Sequence, residues 1–230
     1  MTAPVKVRHH GRMPPPRSRA LLAGTAVIVV AFTVAAILDR PAGNSGQTLP
    51  SSAGASSTGS PPGSGFDGAA LPAGVHARNF TLTDQSGHPV SLQSYRGQAV
   101  IVAFLYSTCG STCTLIAQQI RGALDELPRP VPVLLVSVDP HADTPPHVSR
   151  FLAQVSLTGR VRYLTGPVSQ LRPLWRAYGA TPPSSQGHGF ESSAAVLLID
   201  RGGLERVLFG LEQLTPEALA HDIRGLESEP

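Results

Sequence analysis

The stretch that decides the fold is Ala99-Val-Ile-Val-Ala-Phe-Leu-Tyr106, followed at once by Ser107-Thr-Cys109-Gly-Ser-Thr-Cys113. The first eight residues are apolar and rich in β-branched side chains, which is how a strand covered on both faces reads. A helical pattern takes over from about Cys109 and runs to Leu127, where Pro128 and Pro130 stop it. Val131 to Val138 is a second buried strand. A helix then starts at Asp143-Thr144-Pro145, with Thr144 as N-cap and Pro145 in the first helical position, and runs to about Val155. Working outward, a short strand is expected at 161–164, a helix at 168–178, a strand at Ala194 to Asp200, a turn at Arg201-Gly202-Gly203, a partner strand at Leu204 to Phe209, and a last helix from Thr215-Pro216-Glu217. Upstream, Asn79-Phe80-Thr81-Leu82 and Pro89-Val90-Ser91-Leu92 flank a turn signal at 84–87 and form a hairpin. Strands that alternate with helices imply a partly parallel α/β sheet with right-handed crossovers. A βαβ unit closed by a hairpin and a helix is the thioredoxin-like plan, a central mixed sheet flanked by helices. Its functional groups gather outside the carboxyl ends of the strands.

The chain carries two cysteines, four positions apart. That is a local device and no disulfide scaffold. Four helical residues rise ~6 Å and return to nearly the same face, so the two sulfurs can meet and a disulfide can form. A helix N-terminus favours thiolate, and thiolates are soft ligands suited to Cu(I). Thiol–disulfide chemistry and metal binding therefore both stay open, beside a plain structural disulfide. The last is a poor use of the pair, because so short a loop removes little unfolded-state entropy.

The N-terminal third has a different character. Of 18 Lys+Arg residues, six lie in the first forty with only Asp39 against them, and residues 41–230 hold 12 basic and 14 acidic side chains. The basic balance belongs to the tail, and a nucleic-acid surface is not indicated. Residues 1–19 read as a basic cytoplasmic tail and the uncharged run 20–38 as a transmembrane anchor. At ~1.5 Å per residue it spans roughly 28 Å, enough for a bilayer core. By the positive-inside rule the rest of the chain is exported, giving a single-pass membrane protein with an extracytoplasmic domain. A cleaved signal peptide is the competing reading. Residues 39–74 are rich in Pro, Gly, Ser and Ala, with Asp67 the one acid from position 41 on, and read as a flexible linker of roughly 30 Å reach. The folded domain is expected at 75–230.

Taken together, Phe80-Thr-Leu-Thr-Asp-Gln-Ser-Gly87, Val90-Ser-Leu92, Tyr95-Arg-Gly97, strand 99–106 into Cys109-x-x-x-Cys113, Ser137-Val-Asp-Pro140, Asp143-Thr-Pro145, Leu164-Thr-Gly166 and Leu174-Trp-Arg-Ala-Tyr-Gly179 resemble the Sco/SenC family in order and spacing, over about 78–226. The resemblance implies a thioredoxin-like, copper-binding carrier, rather than an enzyme, that serves assembly of the binuclear copper site of cytochrome c oxidase. It implies copper held by Cys109, Cys113 and a distal histidine, with the oxidase copper-site subunit or another copper/thiol protein as partner. The histidine does not carry over: Glu191-Ser192-Ser193 stands where the family has Asp-His-Ser, so Ser192 takes its place. The prolines that the family often has after each cysteine are replaced by Gly110 and Thr114. His188, in Gly187-His188-Gly189, is the candidate substitute ligand. His141 and His147 read as surface residues, and Asp139 and Asp143 as turn and cap residues.

The alternative function is an extracytoplasmic thiol–disulfide oxidoreductase that keeps a partner's cysteines reduced and needs no histidine. Against general thioredoxin-type reductase activity, no Pro precedes the strand at 194–200, where the chain reads Ser193-Ala194-Ala195. A third reading, a peroxiredoxin-type peroxidase, needs Thr three residues before the reactive cysteine, where this chain has Tyr106 and Gly110.

Overall fold

A computed structural model describes residues 64–183 and 189–229. The tail, the 20–38 run, most of the 39–74 segment and His188 lie outside the described residues. Among the described residues no helix is long and apolar enough to cross a membrane.

Two neighbouring interior strands of the sheet, β4 (Val100–Leu105) and β5 (Val133–Ser137), are buried at every residue. They run parallel, with Ile101 opposite Val133 and Leu105 opposite Ser137. The intervening helix α1 (Ser111–Glu126) buries Cys113, Ile116, Ala117, Ile120 and Ala123, the one-sided pattern of a helix packed on a core. Helix α2 (Pro145–Gln154) leads to β6 (Arg162–Leu164), parallel to β5. Helix α3 (Val168–Ala177) and the segment after it lead to β7 (Ala195–Ile199), which pairs antiparallel with β4. Strand β8 (Glu205–Gly210) returns as the hairpin partner of β7, and α4 (Pro216–Ser228) ends the domain. Thr215 caps α4 as expected, its hydroxyl oxygen accepting the Ala218 N–H at 3.2 Å. Gly122 of α1 sits against Pro216 at the start of α4, so close that a β-carbon would fall 2.7 Å from the proline ring. The early hairpin is also as read, β2 (Thr81–Thr83) against β3 (Pro89–Ser91). The architecture is the α/β thioredoxin-like one, a mixed sheet with helices on it.

Three local readings change. Helix α1 starts at Ser111, two residues later than expected, because Gly110 takes φ 77° and ψ −134°, a backbone no helix continues through. Thr144 precedes α2 without capping it by its side chain, and its carbonyl accepts the Val148 N–H at 3.0 Å instead. The end of the expected linker is built into the sheet: β1 (Ala69–Ala70) pairs antiparallel with β8, completing the order β1-β8-β7-β4-β5-β6. Asp222 of α4, fully buried, accepts the N–H groups of Asp67 at 2.8 Å and Gly68 at 2.9 Å. A β-carbon on Gly68 would meet Val207 Cγ1 at 2.5 Å, so the segment lies this close only because position 68 is glycine. Composition recognises a stretch too polar to fold alone, but not a buried carboxylate 155 residues away that captures its backbone.

Candidate metal and redox centre

The cysteines lie past the carboxyl end of β4, at the mouth of α1. Cys109 precedes the helix and Cys113 sits in its first turn. Their Cα atoms are 5.8 Å apart and a disulfide joins them. The Cys109 sulfur also accepts the backbone N–H of Cys113 at 3.1 Å, taking one of the donors that a helix start leaves unpaired. Exposure divides the pair: Cys109 is half-buried and Cys113 fully buried. Cys109 is therefore the sulfur open to solvent, and Cys113 the one shielded behind it.

The loop before the pair is fixed by its own backbone and by a buried carboxylate. The Cys109 N–H donates to the Tyr106 carbonyl at 3.3 Å. Asp143 accepts the Ser107 N–H and hydroxyl on one oxygen, each at 2.6 Å. Its other oxygen accepts the hydroxyls of Ser137, at 2.5 Å, and Tyr163, at 2.8 Å. Asp143 is not the cap expected from its place before α2; it is buried at the sheet's carboxyl end instead. Asp139 is a turn residue, as expected, its carboxylate accepting the Ala142 N–H at 3.2 Å. Burial, then the Asp143 charge, pushes the Tyr163 phenol far above the ordinary tyrosine value, so it stays a protonated hydroxyl that can donate to the carboxylate.

Residues 189–194 close the other side. Strand β7 lies antiparallel beside β4, with Val196 opposite Ala103, so the segment before β7 arrives at the end that carries the cysteines. Phe190 is buried and meets the Tyr106 ring edge-on, centroids 5.2 Å apart. Burial, with Glu191, Asp139 and Asp143 nearby, raises the Tyr106 phenol. Ser192 is exposed, and its hydroxyl donates to the Gly189 carbonyl at 3.0 Å. His141 is exposed, as read from sequence, whereas His147 is half-buried with Nδ1 2.8 Å from the Ala142 carbonyl oxygen.

Among the described residues, the His, Cys, Asp and Glu side chains that come together as three potential metal ligands are Asp67, His221 and Asp222, within 4.8 Å of one another and without either cysteine. The donors present at the pair are thus two sulfurs, which suit Cu(I). A groove of about 600 Å³, bordered by Gln98, Val133, Arg160 and Arg162, lies at the opposite ends of β4 to β6, and neither cysteine lines it.

Comparison with known proteins yields a match to the SCO1/SenC family over residues 69–227. The mouse mitochondrial protein "SCO2 homolog" is 26% identical over 163 residues, 66% of this chain and 62% of that one. Peroxiredoxin Bcp of Escherichia coli K12 is 39% identical over 82 residues, 35% of this chain and 50% of that one. Among solved structures, Bradyrhizobium japonicum ScoI with copper bound is 25% identical, covers 66% of this chain and 99% of its own, and superposes with a TM-score of 0.50.

Proposed function

The chain belongs to the SCO1/SenC family, and from that premise we propose that it is a copper-binding assembly factor for cytochrome c oxidase. In this reading Cys109 and Cys113 hold the copper as cargo, and the recipient is the oxidase subunit that carries the binuclear copper site, or another copper or thiol protein. The observation that carries it is the pair itself: two sulfurs within bonding reach at a helix mouth, one open to a partner and one shielded, at the active end of this fold. The similarity to a ScoI with copper bound supports the cargo. Both sulfurs are thiolates in the loaded form, so Cu(I), the softer ion, is the state held. His188 is the imidazole proposed as third ligand, since Ser192 stands in the family position. Residues 20–38 are proposed as the membrane anchor that keeps an extracytoplasmic domain near its recipient.

The test is a Cu(I) titration of the reduced full chain against a competing chelator. One-to-one binding lost in both Cys109→Ser and Cys113→Ser supports the reading, and binding that survives either substitution refutes it. Weakening in His188→Ala assigns the third ligand; unchanged affinity removes that residue from the site.

A second reading has its own support. The disulfide and the loss of the family histidine both favour thiol–disulfide exchange, in which the Cys109 thiolate attacks a partner disulfide and Cys113 resolves the mixed disulfide. Here Cys113→Ser traps a partner covalently. The part-length likeness to Bcp raises peroxidase chemistry, but Tyr106 and Gly110 stand where that chemistry needs threonine.

A further inference from the structure

Asp143 has a role that neither a helix cap nor a metal ligand describes. Its side chain is buried, with four donors on its two oxygens: the Ser107 N–H and hydroxyl, the Ser137 hydroxyl and the Tyr163 hydroxyl. A carboxylate is an acceptor only, with about four lone-pair sites, so these donors fill it. The donors come from three places. Ser137 ends β5, Tyr163 is the fully buried centre of β6, and Ser107 lies in the loop that leads to Cys109. Asp143 is itself presented by a tight turn, in which its N–H donates to the Asp139 carbonyl at 3.0 Å. The Trp175 indole N–H donates to the Ser137 carbonyl at 2.9 Å, which adds α3 to the same framework.

We propose that Asp143 is the positioning residue of the cysteine pair: it clamps Ser107 to the ends of β5 and β6 and so holds Cys109 at the mouth of α1 in both redox states. The need for such a clamp follows from the loop. Cys109 is followed by Gly110 at φ 77°, whose carbonyl accepts the Thr114 N–H at 3.2 Å and hydroxyl at 2.8 Å but which has nothing within 4 Å of where its β-carbon would be, so once the disulfide opens the loop is pinned to α1 at Gly110 and to the sheet through Ser107. The backbone N–H of Ser107 is the donor for which Asp143 matters most. Hydroxyls can turn round and accept, but an amide N–H cannot. Without the carboxylate the reduced loop gains freedom that the oxidised, ring-closed loop cannot gain. Asp143 therefore favours closure of the pair, by keeping the dithiol near its bonded geometry.

This inference rests on the pair being the working site and does not depend on copper. Its test is the redox equilibrium of the full chain with glutathione, in which the protein dithiol and one glutathione disulfide give the protein disulfide and two glutathione thiols. Asp143→Ala is expected to lower the effective concentration of the pair about tenfold, the scale of one lost charge-assisted hydrogen bond. Asp143→Asn is expected to stay within about threefold, because its amide oxygen can face Ser107 while its NH2 faces the two hydroxyls of Ser137 and Tyr163. Ser107→Ala, which leaves the carboxylate and the buried core in place, is expected to lower it about threefold and covers the case in which Asp143→Ala does not fold.

Thermal unfolding of both redox forms separates positioning from bulk stability. By linkage, a fall in effective concentration requires the oxidised form to lose more stability than the reduced form. Equal losses in both forms, with the glutathione equilibrium unchanged in Asp143→Ala and Ser107→Ala, overturn the proposal. The copper reading fails separately, through the Cu(I) titration of the unsubstituted chain, and its failure leaves the glutathione results intact.

Discussion

Gly110 sits between the cysteines with φ 77° and ψ −134°, and a β-carbon there would meet nothing within 4 Å. Gly110→Ala therefore isolates one effect, the cost of forcing an L-residue into a backbone region that glycine alone occupies freely. That cost is about 1–3 kcal/mol, with no steric clash to add to it. For a domain of this size, 1 kcal/mol moves the melting temperature by about 2–4 °C, so the oxidised form should melt about 2–12 °C lower. The reduced form should lose less, because without the disulfide the loop can rotate to negative φ and relax. Gly110→Pro goes further. Proline fixes φ near −65°, far from the observed value, so the family's proline is incompatible with the loop as it stands here. Calorimetry on the oxidised and reduced variants is the assay. An oxidised Gly110→Ala protein as stable as its parent would mean that position 110 does not hold a left-handed backbone.

Other consequences follow from the same contacts. Asp222→Ala removes the acceptor for two backbone N–H groups and should cost about 2–4 kcal/mol, bounded by detachment of the β1 segment; amide exchange at Leu71, whose N–H donates to the Arg206 carbonyl at 2.8 Å, should quicken, and unchanged protection would count against the clasp. Burial raises the Asp84 carboxyl, but the N–H groups of His88 and Ser86 and the Arg162 guanidinium outweigh it and hold the carboxyl below its ordinary value. Its contribution is therefore complete above the unfolded carboxylate pKa and is lost as pH falls through the lower folded value; Asp84→Asn should flatten the acid limb of the stability curve, and an unaltered limb would exclude the mechanism. Phe190→Ala empties a buried site against Tyr106 and should cost about 3 kcal/mol, with loss of near-ultraviolet dichroism from the Tyr106 ring.

What was legible from sequence is what depends on neighbours along the chain. The apolar run into β4, the Cys-x-x-x-Cys spacing, the Thr215-Pro216 helix start and the hairpin turn at Arg201-Gly202-Gly203 each report local backbone preference, and each element formed where expected, within a residue or two. Asp143 was illegible because Ser107 and Tyr163 are 36 and 20 residues away from it in sequence, and an Asp-Thr-Pro triplet looks like an ordinary helix start. The β1 segment was hidden for the same reason: Asp222, which holds it, is in the last helix. The bend at Gly110 was hidden because glycine takes either sign of φ, so the local sequence does not say that the helix starts after it.

In the proposed function copper sits on the sulfurs of this pair. X-ray absorption at the copper edge of the Cu(I)-loaded full chain tests it most directly. The copper should show nearest neighbours dominated by sulfur from Cys109 and Cys113, with sulfur scattering reduced in Cys109→Ser and in Cys113→Ser. Nearest neighbours of nitrogen and oxygen alone, or ones unchanged by either substitution, would contradict the proposed function.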